Sequence, residues 1–182
     1  EDSDNPWMLA YDVNNGFNRY QLFGNVMATW EISPKFSLMG RMALNKSDEV
    51  RETKIGLGYS DEPNNGAYGI STSNNLERNI DGLFTYKDNS EVFSWSLSVG
   101  GNTRYAKGSS VSNSSKNNAG LTVPNLFTLS NIPTANLNYS SYRFELGVNS
   151  FYGMANLGWK ETIFLDITAR NDWSSTLPKA NR

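Results

Sequence analysis

The chain has 182 residues, of which 38% are hydrophobic and 13% aromatic, and its formal net charge is −2. It contains no cysteine and no histidine, which excludes disulfides, thiolate metal sites and histidine-based catalysis. The charges are spread out without a basic patch, so nothing indicates a nucleic-acid-binding protein. We therefore expect no enzyme activity and no cofactor. Neither a signal peptide nor an apolar segment of transmembrane-helix length is recognisable.

Alternation of apolar and polar residues predicts strands that are grouped in three hairpins. The predicted strands lie at about 20–31, 36–46, 79–87, 92–105, 145–159 and 162–171. Short turns near 33–35, 88–91 and 160–162 alternate with long polar connections at roughly 47–76 and 106–142. Repeated connections of that length are rare in compact sandwiches, whereas outer-membrane barrels combine short periplasmic turns with long extracellular loops. The spacing favours the barrel.

The charged residues divide the strands into two faces. In the clearly alternating part of each strand, no charged residue occupies the alternate positions that carry the apolar side chains. We call these positions the apolar parity and the positions between them the polar parity. This pattern predicts that the apolar parity faces lipid, where a charge costs about 2–4 kcal/mol near the midplane. The inner face of a soluble sandwich excludes charge too. Charged residues on the opposite parity include Arg41, Asp81, Arg104, Asp166 and Arg170.

Large aromatic residues lie beside every short turn on the apolar parity. We predict that they form a belt at one membrane interface, where such rings are favoured. The alternative is that they cap a core. The predicted interface aromatics are Trp30, Phe36, Tyr86, Phe93, Trp95 and Trp159.

The predicted fold class is all-β, with antiparallel strands that form part of a large transmembrane barrel. Six strands cannot close around a lumen with the hydrogen bonds of their own edges satisfied, and open edges are not tolerated in lipid. The chain is therefore expected to need further strands of the same barrel.

The carboxyl-terminal segment resembles a known family. "NSFYGMANLGWKETIFLDITARNDWSSTLPKANR" (Asn149 to Arg182) is similar to a barrel stretch of the SusC/RagA family of TonB-linked outer-membrane transporters. Its most specific residues are Arg170, Asn171, Asp172, Trp173, Ser174 and Ser175. "GLTVPNLFTLSN" (Gly120 to Asn131) resembles the loop before that stretch, and "NPW" (Asn5 to Trp7) with "GNV" (Gly24 to Val26) fits the preceding region. Met154 and Trp159 depart mildly from the usual residues.

The resemblance implies a 22-stranded barrel in the outer membrane of a Gram-negative bacterium. It also implies that Arg41, Asp81, Arg104, Asp166 and Arg170 face the lumen; an interpretation at least as good is that these residues only pair with one another across strands. Such barrels carry an amino-terminal plug, are capped by a SusD-like lipoprotein, and import glycan oligosaccharides or peptides with energy delivered by TonB. Residues 1–182 are expected to be an internal portion of the barrel, without the plug and the remaining strands. The segment Arg170–Ser175 is predicted to be an extracellular junction in which Asp172 and Ser174 form turn hydrogen bonds.

The long connections contain the tyrosines Tyr68, Tyr139 and Tyr142 in otherwise polar sequence. One hypothesis is that these loops contact the lipoprotein or the substrate, and the alternative is that the rings serve local packing. Two rival functions remain open from the residues alone: a soluble surface-exposed β-module that binds glycan, and an adhesin or fibre subunit that accepts a partner strand.

Overall fold

The computed structural model describes residues 5–60, 65–116 and 120–178. Parts of the predicted loops, 61–64 and 117–119, and the end of the family-like segment, 179–182, lie outside the described residues. The elements are α1 Pro6–Tyr11, β1 Val13–Ser33, β2 Phe36–Ile55, β3 Ala67–Asn89, β4 Phe93–Ser115, the 3-10 turns Leu129–Asn131 and Thr134–Asn136, β5 Leu137–Trp159 and β6 Ile163–Ser174. Within the described ranges, no helix is long and apolar enough to cross a membrane.

The strands of the described residues form one six-stranded sheet in the order β1-β2-β3-β4-β5-β6. Each strand pairs with the next one along the chain, as in a meander. The β5–β6 register is antiparallel and runs from Trp159 opposite Ile163 to Val148 opposite Ser174. The prediction of an all-β, antiparallel fold is confirmed.

The strands extend well beyond their predicted ends. The connections that the sequence placed at 47–76 and 106–142 are only 56–66 and 116–136, so the predicted loops were wrong over much of their length. The reason is that β2 continues as Glu49-Val50-Arg51-Glu52-Thr53-Lys54, where both faces are largely polar. Apolar alternation is absent there, although the backbone still pairs with its neighbours.

The short turns are fixed by local chemistry. The Ser33 hydroxyl accepts hydrogen bonds from the backbone N–H groups of Lys35 (3.3 Å) and Phe36 (3.2 Å). Lys160 and Glu161 have positive φ angles of 49° and 51°, as the central residues of the tight turn between β5 and β6. The Thr162 N–H donates to the Trp159 carbonyl oxygen at 3.0 Å, so the three-residue connection begins with a turn whose successive positive φ angles match the right-handed twist of the strands.

The chain divides into two compact units. The first unit comprises Glu1–Gln21, Ser47–Asn75 and Gly108–Phe144, and the second comprises Leu22–Lys46, Leu76–Lys107 and Glu145–Arg182. The first unit contains α1 and the long connections, and the second contains the short turns. In the first unit Tyr68, Leu121 and Ile132 are buried together. They are joined by partly buried Ile70, Phe127, Leu129 and Leu137.

The connection before β5 is held by one buried amide. Asn131 Nδ2 donates to the carbonyl oxygens of Val123 (2.7 Å) and Leu126 (2.8 Å), and its Oδ1 accepts from the Val123 N–H at 2.9 Å. These bonds satisfy loop backbone groups that no sheet neighbour reaches. The family-like "GLTVPNLFTLSN" segment is therefore a loop that closes on its own last residue.

A glycine on β4 makes room for an aromatic ring from β5. A Cβ placed on Gly100 would lie 2.7 Å from the Gly82 carbonyl oxygen and 2.7 Å from Cζ of Tyr152. Real side chains do not approach that closely, so Tyr152 can cross β4 only because residue 100 has no side chain.

We predict that Gly100→Ala lowers the free energy of unfolding by about 1–3 kcal/mol, the usual cost of overpacking. Gly82→Ala is the matched control, since a Cβ there meets nothing within 4 Å. Thermal unfolding of the two purified variants measures the difference. An equal Tm for both would contradict the close packing of Tyr152 on Gly100.

Candidate functional site

One face of the sheet carries the polar side chains, and we call it the polar face. It consists of the odd-numbered residues of β1, β2 and β3 and the even-numbered residues of β4, β5 and β6. In the second unit, a groove of about 440 Å³ is lined only by residues of this set. The lining residues are Asn25, Met27, Arg41, Ala43, Asn79, Asp81 and Asn102. The predicted parity therefore corresponds to a real, mostly polar surface.

Arg41 and Asp81 meet on this face across β2 and β3. Arg41 Nε lies 3.0 Å from Asp81 Oδ2, and Asn102 Nδ2 donates to Asp81 Oδ1 at 2.7 Å. The Asp81 side chain is 9% exposed, whereas that of Arg41 is 47% exposed. The carboxylate is thus satisfied from both sides, as a buried charge requires. These two residues form the cross-strand pair that the sequence left open.

Arg104 pairs with a residue that the sequence did not single out. Its Nε and Nη2 donate to the Glu77 carboxylate at 3.0 and 2.9 Å, in a two-pronged arrangement. Asn79 Nδ2 also reaches Glu77, at 3.2 Å. Glu77 was missed because it precedes the alternating segment from which β3 was predicted. A search for opposite charges at the same parity beyond the apolar segment would have found it.

The two charges of β6 do not pair with each other. Asp166 accepts from Asn156 Nδ2 at 2.8 Å. Arg170 donates to Asp172 (2.8 Å) and to the Ser150 hydroxyl (2.9 Å), and its guanidinium lies 5.8 Å from the centre of the Tyr152 ring. Each of the two charged side chains therefore has a hydrogen-bond partner on the same face.

The segment Arg170–Ser175 was predicted as a junction, and this was wrong for most of it. β6 continues to Ser174, which lies opposite Val148 of β5. Asp172 bonds Arg170 two residues before it in place of a turn, because both side chains point to the same face of an extended strand. Only Ser174 acts as predicted, since its hydroxyl accepts from the Thr176 N–H at 3.3 Å.

The opposite surface, which we call the apolar face, carries the predicted aromatic residues. Phe36 and Tyr86 have ring centres 4.6 Å apart, and Tyr86 and Trp95 have ring centres 4.8 Å apart. Phe93, Trp95 and Trp159 line an open, mainly apolar groove of about 660 Å³. Trp30 on β1 is 66% exposed.

The first unit contains a charged cluster that sequence reasoning missed: Phe17, Arg19, Glu49 and Arg51, called here the Arg19–Arg51 cluster. Arg19 Nε lies 2.6 Å from Glu49 Oε2, and Arg51 Nε pairs with Glu49 Oε1. The two guanidinium carbons lie 5.9 and 5.8 Å from the centre of the Phe17 ring. Hydrogen bonds from Arg51 and from Arg19 lower the pKa of Glu49 from its usual value. All four residues belong to the polar parity.

Arg51 also lines a groove in the same unit. The groove has a volume of about 320 Å³, and hydroxyl-bearing residues dominate its polar lining. These residues are Thr53, Ser71, Ser112, Ser114 and Ser115. The sequence placed all of them in loops, so their convergence on neighbouring strands could not be foreseen.

The three tyrosines of the predicted loops have different environments. Tyr68 is buried, and its hydroxyl donates to Glu52 at 2.9 Å. Burial and that hydrogen bond raise its pKa. Tyr68 therefore serves local packing, the alternative that the sequence left open. Tyr139 and Tyr142 lie on β5, not in a loop, and are 81% and 65% exposed.

Comparison with solved structures reveals proteins of the same fold. A chain of the RagAB peptide transporter matches with a TM-score of 0.76 and 18% identity, over 96% of this chain and 20% of that chain. Chains of the RagAB peptide importer in its open-open and closed-closed states match with TM-scores of 0.78 and 0.79, at 17% and 18% identity. Those matches cover 93% and 96% of this chain, and 19% of each of the two.

This chain spans about a fifth of the length of the solved chains that it matches. At such identities the likeness concerns the fold alone. The antiparallel sheet of the described residues is similar to a barrel segment of RagA-like proteins. No protein-family model matches the chain, and a search of curated proteins gives no match either.

We predict that Asp81→Ala lowers the free energy of unfolding by about 1–3 kcal/mol, because Arg41 and Asn102 lose their shared acceptor. Asp172→Ala is the control, since the Asp172 side chain is 48% exposed and its loss should be smaller. Chemical unfolding of both variants measures the two values. Equal losses would contradict a structural role for the buried Asp81.

The Glu49 ion pairs predict a defined pH dependence. Because the pKa of Glu49 is lower in the folded than in the unfolded state, its stabilising contribution is fully present above the unfolded value. It disappears as the pH falls through the lowered folded value. We therefore expect wild type to exceed Glu49→Gln in Tm at pH 6–7, and the gap to narrow only at strongly acidic pH. A gap independent of pH would contradict an ionised Glu49.

Proposed function

We propose that the chain is a barrel segment of a TonB-dependent outer-membrane transporter that imports peptides. The observation that carries this proposal is the division of one sheet into an exposed apolar face and a charge-balanced polar face. The fold likeness to chains of a peptide transporter, over 96% of this chain, supports it. The resemblance in sequence to the SusC/RagA family supports it independently, because it rests on residues and not on the backbone.

The apolar face is the surface that we assign to the lipid. Leu22, Val26 and Trp30 on β1 are 64%, 76% and 66% exposed, and Leu97 and Val99 on β4 are 45% and 49% exposed. A soluble protein rarely leaves so much contiguous apolar surface in water. In a bilayer the same surface is stabilised, since lipid-facing residues of barrels alternate with lumen-facing ones.

Charged groups mark where the apolar face ends. On its parity, beyond the apolar residues, the Arg78 guanidinium lies 5.8 Å from the centre of the Tyr105 ring. The Tyr105 hydroxyl donates to Glu145 at 2.7 Å. We assign these groups to the outer interface and the aromatic residues beside the short turns to the periplasmic interface. The long connections would then be extracellular.

The polar face is the wall that we assign to the lumen. Arg41, Asp81, Arg104, Asp166 and Arg170 each have a partner on that face. Paired charges make a hydrated surface with little net charge, which suits the passage of varied solutes or contact with a plug. The proposal assigns no catalytic reaction to the chain.

The partners follow from the same proposal. A SusD-like surface lipoprotein would deliver the substrate from outside, and TonB would act through other parts of the protein. Oligosaccharides are the second substrate class, since the family resemblance implies both. We favour peptides because the matched structures are those of a peptide transporter.

The rival soluble functions predict a different response to a charge on the apolar face. We predict that Leu97→Arg in the full-length protein strongly reduces the amount of folded protein in the outer-membrane fraction, at a cost of about 2–4 kcal/mol for a lipid-facing arginine. Ser96→Arg, one residue away on the polar face, should assemble normally. Quantitative blotting of membrane fractions with limited proteolysis measures both.

The outcome separates the functions. In a soluble glycan-binding module or a fibre subunit, Leu97→Arg would place a charge in water and would leave the yield unchanged or increased. Normal assembly of Leu97→Arg would therefore overturn the membrane assignment.

A further inference from the structure

The Arg19–Arg51 cluster differs from the two ion pairs Arg41–Asp81 and Arg104–Glu77 of the polar parity in its ratio of positive to negative charges. It contains two guanidinium groups and one carboxylate, whereas Arg41 with Asp81 and Arg104 with Glu77 are one-to-one pairs. Glu49 is 11% exposed, and Arg51 is 62% exposed. Among the described residues, the cluster thus has one more positive than negative charge, which favours an anion. Arg51 is its more accessible arginine, at 62% exposed against 47% for Arg19.

The cluster is also held in place. Arg19 and Arg51 both contact Glu49, and both lie beside the same Phe17 ring. Contacts to an aromatic face and to a carboxylate fix the plane of a guanidinium. The bond from Arg51 to Glu49 uses Nε, which is one of the five N–H donors of the guanidinium. A fixed, planar fork of this kind is the group that binds carboxylates in a two-pronged manner.

Arg51 connects the cluster to the groove of about 320 Å³ described above. The groove offers hydroxyl groups from Thr53, Ser71, Ser112 and Ser114. Gly69 also lines the groove, and a Cβ at this position would lie 3.2 Å from Cβ of Ser114. Ligand sites commonly combine a concave surface of this size with few, well-placed polar groups.

We propose that Arg51, supported by Arg19 and Phe17, binds the carboxylate of an imported oligopeptide whose neighbouring residues enter this groove. The proposal rests on the proposed function, and it adds which chemical group of the substrate is recognised. The exposed Phe17 ring, at 63%, offers an apolar contact beside the charge. Hydroxyl groups along the groove can donate to and accept from peptide amides. A terminal carboxylate followed by amides and apolar side chains matches all three features.

The test uses the full-length protein in detergent and a mixture of random-sequence decapeptides in two forms, with a free carboxyl terminus or a carboxyl-terminal amide. Mass spectrometry of the retained peptides gives the acid-to-amide ratio. We expect wild type to prefer the free acid by about tenfold, as for one charge-assisted hydrogen-bonded contact. Arg51→Gln should reduce the ratio to near one while still retaining amidated peptides, and Arg51→Lys should keep part of the preference.

Arg78→Gln is the matched control, since it removes an arginine of the opposite parity and should leave the ratio unchanged. Equal retention of both forms by wild type, or an unchanged ratio in Arg51→Gln, would overturn the carboxylate site and leave peptide import intact. Retention of neither form by wild type would overturn peptide import itself. Arg51-dependent retention of an acidic oligosaccharide in place of the peptides would overturn the peptide assignment.

Discussion

Everything that this chain can do depends on the register of its sheet. Side chains alternate strictly between the two faces of a strand, so a slip of one residue exchanges the faces completely. In the β5–β6 pair, Asn156 lies opposite Asp166 on the polar face, while Leu157 lies opposite Leu165 on the apolar face. Backbone hydrogen bonds fix this register, and the register keeps charges away from the surface that we assign to lipid. In the function that we propose, membrane insertion and substrate passage therefore share one structural cause.

Charge balance is the second constraint, and it acts on the polar face only. A charged residue on a half-buried surface is tolerated when a neighbouring strand supplies the opposite charge at the right height. The bond from Arg104 to Glu77 and the bond from Arg41 to Asp81 meet this condition. Pairs of this kind make a surface polar without making it selective. Selectivity requires a place where the balance is broken, and the Arg19–Arg51 cluster is such a place.

The sequence predicted the hairpins, the two faces and the aromatic residues beside the turns, because each of these leaves an apolar alternation to follow. The strand prediction failed where the alternation of apolar and polar residues gives way to polar residues on both faces. Glu49, Arg51 and Glu77 therefore lie on strand segments that the sequence did not predict. The cross-strand partners are Arg19 of β1 for Glu49 and Arg104 of β4 for Glu77. Cross-strand pairing depends on register, which a single sequence does not contain. The 320 Å³ groove is beyond prediction for the same reason, since three strands contribute to it.

The residues that made the family resemblance visible have mainly structural roles in this sheet. Asn131 closes the loop before β5, and Arg170 joins Asp172 and Ser150 along the β5–β6 pair. Tyr152 crosses Gly100 in a space that admits no further side chain. Residues with such roles determine that this sheet forms, and they do not decide which substrate is recognised. In the function that we propose, substrate recognition must then depend on residues outside the motif. The Arg19–Arg51 cluster, with two guanidinium groups and one carboxylate beside an open groove, meets that requirement.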